Sequence, residues 1–188
     1  ASIDCQASGT TMRFLTALVS LGNGHYVLDG TARMRQRPIG DLLNALRMLG
    51  VEAEAGSAGE CPPVTIRSTG VTSAEACIQS TTSSQFASGL ALVAPCMPEG
   101  LSLELTGTLV STPYLDMTRK IIESFGGKCE LRNDRQWHIA PTGYVSKNYE
   151  IEPDASAASY FAAAAAITHG TVTLEGLGRN SMQGDIEF

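Results

Sequence analysis

The chain is poor in most of the residues that carry chemistry alone. Its three histidines, His25, His138 and His169, include no two at metal-ligand spacing, which removes the usual signature of a zinc site and leaves no metal to expect. Its five cysteines, Cys5, Cys61, Cys77, Cys96 and Cys129, form no CxxC pair. They read as buried or free thiols of a reducing, cytoplasmic compartment, not as a disulfide frame. Positive charge is scarce: 13 Lys and Arg against 19 Asp and Glu give a formal net charge of −6, and the cations form no cluster larger than Arg33, Arg35 and Arg37. A nucleic-acid binder would show a basic stripe, so none is expected as a partner. The longest apolar run, residues 161–167, is far below the roughly 20 residues that cross a bilayer, so no membrane partner is expected either. The single tryptophan, Trp137, fits core packing better than a stacking platform. A starting methionine and a basic leader are also missing, and residues 178–188 break off where a new element should begin. The chain therefore reads as an internal piece of a longer protein.

What the chain does have is an apolar content of 43% and a repeat. Ser8-Gly9-Thr10 precedes Ser83-Ser84-Gln85 by 75 positions, Pro38 precedes Pro113 by 75, Phe86 precedes Phe161 by 75, and Gly50 precedes Gly126 by 76. That period is too long for a solenoid and fits a duplicated supersecondary unit. Residues 8–20 have helical apolar spacing at Met12, Leu15, Leu18 and Val19, which predicts a helix buried on most sides. Residues 25–30 and 101–107 read as strands. Residues 37–50 place Ile39, Leu42, Leu43, Leu46 and Leu49 on one stripe, predicting an amphipathic helix over a sheet. Residues 51–55 and 63–68 follow as strands around a glycine-marked turn, and residues 74–80 begin the next unit. The fold class is α/β (α+β).

Five predicted helix starts carry small or capping residues: Ser8-Gly9-Thr10, Arg37-Pro38, Ser83-Ser84-Gln85, Ser111-Thr112-Pro113 and Asp154-Ala155-Ser156. Each alone is explained by capping. Together and in register they supply partial positive charge and unpaired N–H groups at one end of the fold, which suits an anionic ligand. Two hydroxyls and an amide in Ser83-Ser84-Gln85 exceed what one cap needs. Arg37, next to a proline, is the best candidate for gripping a carboxylate or phosphate in bidentate fashion. Arg33 and Arg35 read as a solvated turn, and Arg13 as a structural residue pairing with carbonyls inside the helix layer.

Residues 8–14, 33–50, 83–86, 111–118, 154–161 and 178–186 (SGTTMRF, RMRQRPIGDLLNALRMLG, SSQF, STPYLDMT, DASAASYF and GRNSMQGDI) resemble the 5-enolpyruvylshikimate-3-phosphate synthases, in the order of that family. The resemblance implies repeated βαβαββ units with helices turned inward, as an inside-out α/β barrel-like domain of the enolpyruvyl transferase type. It implies that residues 1–150 are most of the N-terminal-type domain, two repeats, and that 151–188 start the second domain or a third repeat with a helix and strands. The implied reaction moves the enolpyruvyl group of phosphoenolpyruvate to the 5-hydroxyl of shikimate 3-phosphate, releasing phosphate, without a cofactor and with a monomer at full length. By the same resemblance Ser83, Ser84, Gln85, Ser111 and Tyr114 contact shikimate 3-phosphate, and Gly9, Arg37 and Gln85 contact phosphoenolpyruvate. Ala7 stands where the family often has asparagine, and Phe14 where many members have proline or leucine near the position tied to glyphosate sensitivity. The family's catalytic acid and base have no counterpart here, so the chain alone is expected to bind at most. Two other readings stay open at this point: a UDP-N-acetylglucosamine enolpyruvyl transferase-like enzyme, and a non-catalytic module for anionic ligands.

Overall fold

The computed structural model describes the chain except residues 58, 80–82, 109–111, 134, 179, 180 and 188, and the side chain of residue 187. It divides into two compact units, residues 1–145 and 146–188.

The first unit runs β1 (Ser2–Asp4), α1 (Gly9–Val19), β2 (Asn23–Asp29), α2 (Gly40–Met48), β3 (Glu52–Ala55) and β4 (Val64–Thr69). The order then repeats as β5 (Glu75–Gln79), α3 (Ser84–Val93), β6 (Leu101–Thr106), α4 (Thr112–Ser124), β7 (Cys129–Asn133) and β8 (Gln136–Ile139). Each βαβαββ repeat makes one open four-stranded sheet, ordered β1-β2-β4-β3 and β5-β6-β8-β7. In both, the first pair is parallel and the other two antiparallel. Identical topology follows from the duplicated pattern: a parallel pair needs a helical crossover, and a hairpin closes each repeat.

Burial alternates along the strands. In β6, Leu101, Leu103 and Leu105 are buried and Glu104 is exposed; in β4, Val64, Ile66 and Ser68 are buried and Arg67 is exposed. Each sheet thus turns one apolar face to the helices. Ile39, Leu42, Leu43, Leu46 and Leu49 are all fully buried, as their stripe predicts, and each such side chain contributes roughly 2 kcal/mol of apolar burial.

Two helices differ from expectation. The helix expected at 37–50 begins only at Gly40, with Ile39 at its cap. A residue before proline is driven to extended backbone, and Arg37 has φ −101° and ψ 115°. The Ile39 amide donates instead to the Glu60 carbonyl at 2.9 Å. In α1, Met12 is buried but Leu18 is 50% exposed, so this helix is covered on only part of its circumference.

The second unit holds α5 (Ala155–Thr168) and a short 3-10 turn, Gly184–Glu187. Asp154 caps α5 by accepting from the Ala157 amide at 3.0 Å. The strands expected after this helix are not found among the described residues. Residues 171–174 have strand composition, but a strand requires a neighbouring ladder. Among the described residues, no helix is long and apolar enough to cross a membrane.

Candidate functional site

The amino ends of α1 and α3 lie side by side. Ser8 caps α1, accepting from the Thr11 amide at 3.2 Å, and Ser83 caps α3, accepting from the Gln85 amide at 3.2 Å. Both helix ends carry partial positive charge and no acidic residue in the first turn.

Two guanidiniums join them. Arg13, in the second turn of α1, donates from Nη1 to Gln85 Oε1, reaches Ser83 Oγ at 3.5 Å and stacks over the Phe86 ring at 5.0 Å from its centroid. Its partner is therefore a side-chain carbonyl of the neighbouring repeat, where the sequence suggested carbonyls within the helix layer. Arg37 comes from the turn before α2 and lies against Gly9; a Cβ on Gly9 would sit 2.5 Å from Arg37 Nη1. Arg37 thus reaches the start of α1, not that of its own helix. Burial and the nearby Arg37 charge lower the pKa of Arg13. Among the described residues neither guanidinium meets a carboxylate, whereas Arg35, Arg47, Arg67 and Arg119 all do.

Ser84 adds a second unusual feature. Thr16, Ser20, Ser68, Ser88 and Thr118 are buried with hydroxyls hydrogen-bonded to described groups. Ser84 is only 6% exposed, and no described group bonds its hydroxyl. A buried hydroxyl without a partner costs about 1–3 kcal/mol, which a ligand oxygen would relieve.

Of the residues singled out in the sequence, Gly9, Arg37, Ser83, Ser84 and Gln85 come together here. Tyr114 lies in the first turn of α4, 44% exposed, with α4 packed on α3. Ser111 lies outside the described residues. Arg33 and Arg35 are engaged elsewhere, Arg33 with Gln36 and Arg35 bidentately with Asp29.

Thr10, named in the sequence only as part of a helix start, has a partner that sequence reasoning did not find: its Oγ1 accepts from Gln85 Nε2 at 3.3 Å. The signal for it was present, since Thr10 and Gln85 stand one repeat apart. Sequence reasoning also missed a cavity of about 420 Å³ beside β5, β6 and β8, where His138 Nδ1 lies 3.2 Å from Ser102 Oγ. Among the described residues, no group of three His, Cys, Asp or Glu side chains is placed to hold a metal ion.

Residues 1–188 match the family model described as EPSP synthase (3-phosphoshikimate 1-carboxyvinyltransferase). The chain belongs to this family. A 3-phosphoshikimate 1-carboxyvinyltransferase of Erwinia tasmaniensis is 43% identical over 183 residues, covering 96% of this chain and 42% of the relative. One from Vibrio cholerae is 44% identical over 184 residues, covering 96% and 43%. A relative named as chloroplastic, from Nicotiana tabacum, is 42% identical over 187 residues, covering 96% and 36%. A solved EPSP synthase from Acinetobacter baumannii superposes with a TM-score of 0.75 at 24% identity, covering 96% of this chain and 40% of that one, so the enolpyruvyl transferase fold is shared. The chain spans about two fifths of the length of these relatives.

Proposed function

We propose that this chain is one wall of a 3-phosphoshikimate 1-carboxyvinyltransferase, a transferase of the shikimate pathway, and that its own task is to hold the two anionic substrates. The observation that carries this reading is the pair of adjoining helix amino ends, of α1 and α3, which hold the Arg37 guanidinium against Gly9 and face no described carboxylate. Such a place lowers the energy of a bound anion by direct charge and by several convergent N–H donors.

In this reading Ser83, Ser84, Gln85, Ser111 and Tyr114 receive shikimate 3-phosphate, the buried Ser84 hydroxyl gaining its missing partner. Gly9, Arg37 and Gln85 receive phosphoenolpyruvate, with Gly9 leaving room for the Arg37 guanidinium against the start of α1. The proton transfers of the reaction find no acid or base in this cluster, and the chain alone binds without turnover. Residues 1–150 are most of the N-terminal-type domain, and the parent protein works as a cytoplasmic monomer.

Calorimetric titration with shikimate 3-phosphate tests this. Saturable binding is expected, weakened about tenfold or more by Ser84→Ala, the loss of one hydrogen bond to a charged ligand, and little by Arg37→Ala. A chain with native circular dichroism and no saturable binding would overturn the reading.

A further inference from the structure

We infer that Arg13 is a positioning residue that fixes which way round the Gln85 amide is offered to a ligand, with Thr10 accepting one hydrogen of the NH2 group so placed. The Gln85 side chain is held at both ends: its Oε1 accepts from Arg13 Nη1, and its Nε2 donates to Thr10 Oγ1 at 3.3 Å. Arginine has only donors, so the amide atom facing it has to be the carbonyl oxygen. The NH2 group is thereby turned towards Thr10, and its second hydrogen is taken by no described group.

This matters because phosphate and carboxylate oxygens only accept. An unrestrained amide turns over freely and presents its oxygen to an anion for part of the time, which repels it. Arg13 is itself immobilised, half-buried and stacked on Phe86 at 5.0 Å, so the constraint is transmitted from the α1–α3 packing to the amide. The inference rests on the proposed binding of shikimate 3-phosphate, and its test separates the two.

The test is a double-mutant cycle read by titration with shikimate 3-phosphate. Arg13→Met is expected to weaken binding about tenfold in the unaltered chain and by less than about twofold when Gln85→Ala is already present. Arg13→Lys, which keeps a donor-only cation, is expected to recover part of the loss and guards against a folding defect in the methionine variant. Equal losses in both backgrounds would overturn the inference, because Arg13 would then act through its own charge. If the unaltered chain binds nothing, the function reading fails and the amide itself decides. The side-chain NH2 pair of Gln85 is expected to be dispersed in the 1H–15N spectrum of the ligand-free chain and to move to the free-amide position in Arg13→Met. An unmoved pair would overturn the inference without reference to any ligand.

Discussion

The Arg37 guanidinium rests against the α-carbon of Gly9, close enough that a methyl group on Gly9 would lie 2.5 Å from its Nη1 and 3.0 Å from its Cζ. Arg37 is an exposed, flexible side chain, so Gly9→Ala is relieved by swinging the guanidinium away and not by shifting backbone. Thermal stability is therefore expected to change little. Phosphoenolpyruvate affinity is expected to fall about tenfold or more, the scale of one lost charge-assisted hydrogen bond. Adding Arg37→Ala to Gly9→Ala should then cost almost nothing further. Titration of the four proteins checks this, and independent, additive losses would show that the two residues do not share one interaction.

A different glycine gives the opposite sign. Gly89, within α3, faces α1, and a Cβ there would lie 3.5 Å from the Arg13 carbonyl oxygen and Phe14 Cδ1 and 3.6 Å from Ala17 Cβ. These are ordinary contacts, so Gly89→Ala fits and is expected to stabilise by about 0.5–1 kcal/mol through its better helix propensity. Gly89→Leu does not fit, and overpacking of this kind is expected to cost about 1–3 kcal/mol. Urea midpoints of the three proteins measure both effects.

The parts of the fold set by local pattern were legible in the sequence, and those set by distant partners were not. The five-residue stripe of α2 is readable because period and burial coincide at Ile39, Leu42, Leu43, Leu46 and Leu49. The start of that helix is not, because the Ile39 amide is satisfied by Glu60 in the loop between β3 and β4. Gly9, Arg37, Ser83, Ser84 and Gln85 were recognisable as residue types at helix-start spacing, yet nothing local says that Arg37 serves α1 instead of α2. Arg13 was placed among structural residues since its partner Gln85 lies 72 positions away. The strands expected within 151–188 came from the resemblance alone, and a strand forms only where a neighbouring ladder exists.

The link between α3 and α4 is a buried pair of hydroxyls. Thr118 Oγ1 lies 2.8 Å from Ser88 Oγ and 2.8 Å from the Tyr114 carbonyl oxygen. Thr118 is the donor in both contacts, its one hydroxyl hydrogen shared between the Ser88 oxygen and the Tyr114 carbonyl. Thr118→Val keeps the shape and removes both bonds, leaving the Ser88 hydroxyl stranded, and is expected to destabilise by about 1–3 kcal/mol. Thr118→Val combined with Ser88→Ala should recover part of that loss, since no orphan buried hydroxyl is then left. Denaturant unfolding of the single and double variants checks the order, and a double variant less stable than the single would contradict it.

Tyr144, still 40% exposed, and the buried Cys129 thiol both titrate late and share the alkaline loss of stability. The Tyr144 hydroxyl donates to the Leu92 carbonyl at 2.6 Å, and its ring meets Phe125 edge-on at 6.5 Å between centroids. Burial, followed by the nearby Cys96 and Cys129, pushes the phenol from its ordinary 10.0 up to about 12. The neutral phenol is thus favoured in the folded state. Its contribution to stability is complete below pH 10, where the unfolded chain is also neutral, and is lost between pH 10 and about 12 as the unfolded state alone gives up the proton. Absorbance near 295 nm is expected to show a late step near pH 12 that Tyr144→Phe removes. The same variant is expected to flatten part of the loss of stability above pH 10, while lowering stability at neutral pH by about 1 kcal/mol for the missing hydrogen bond. A Tyr144→Phe protein that keeps the same alkaline decline would assign the decline to other groups and leave Tyr144 with only its hydrogen-bonding role.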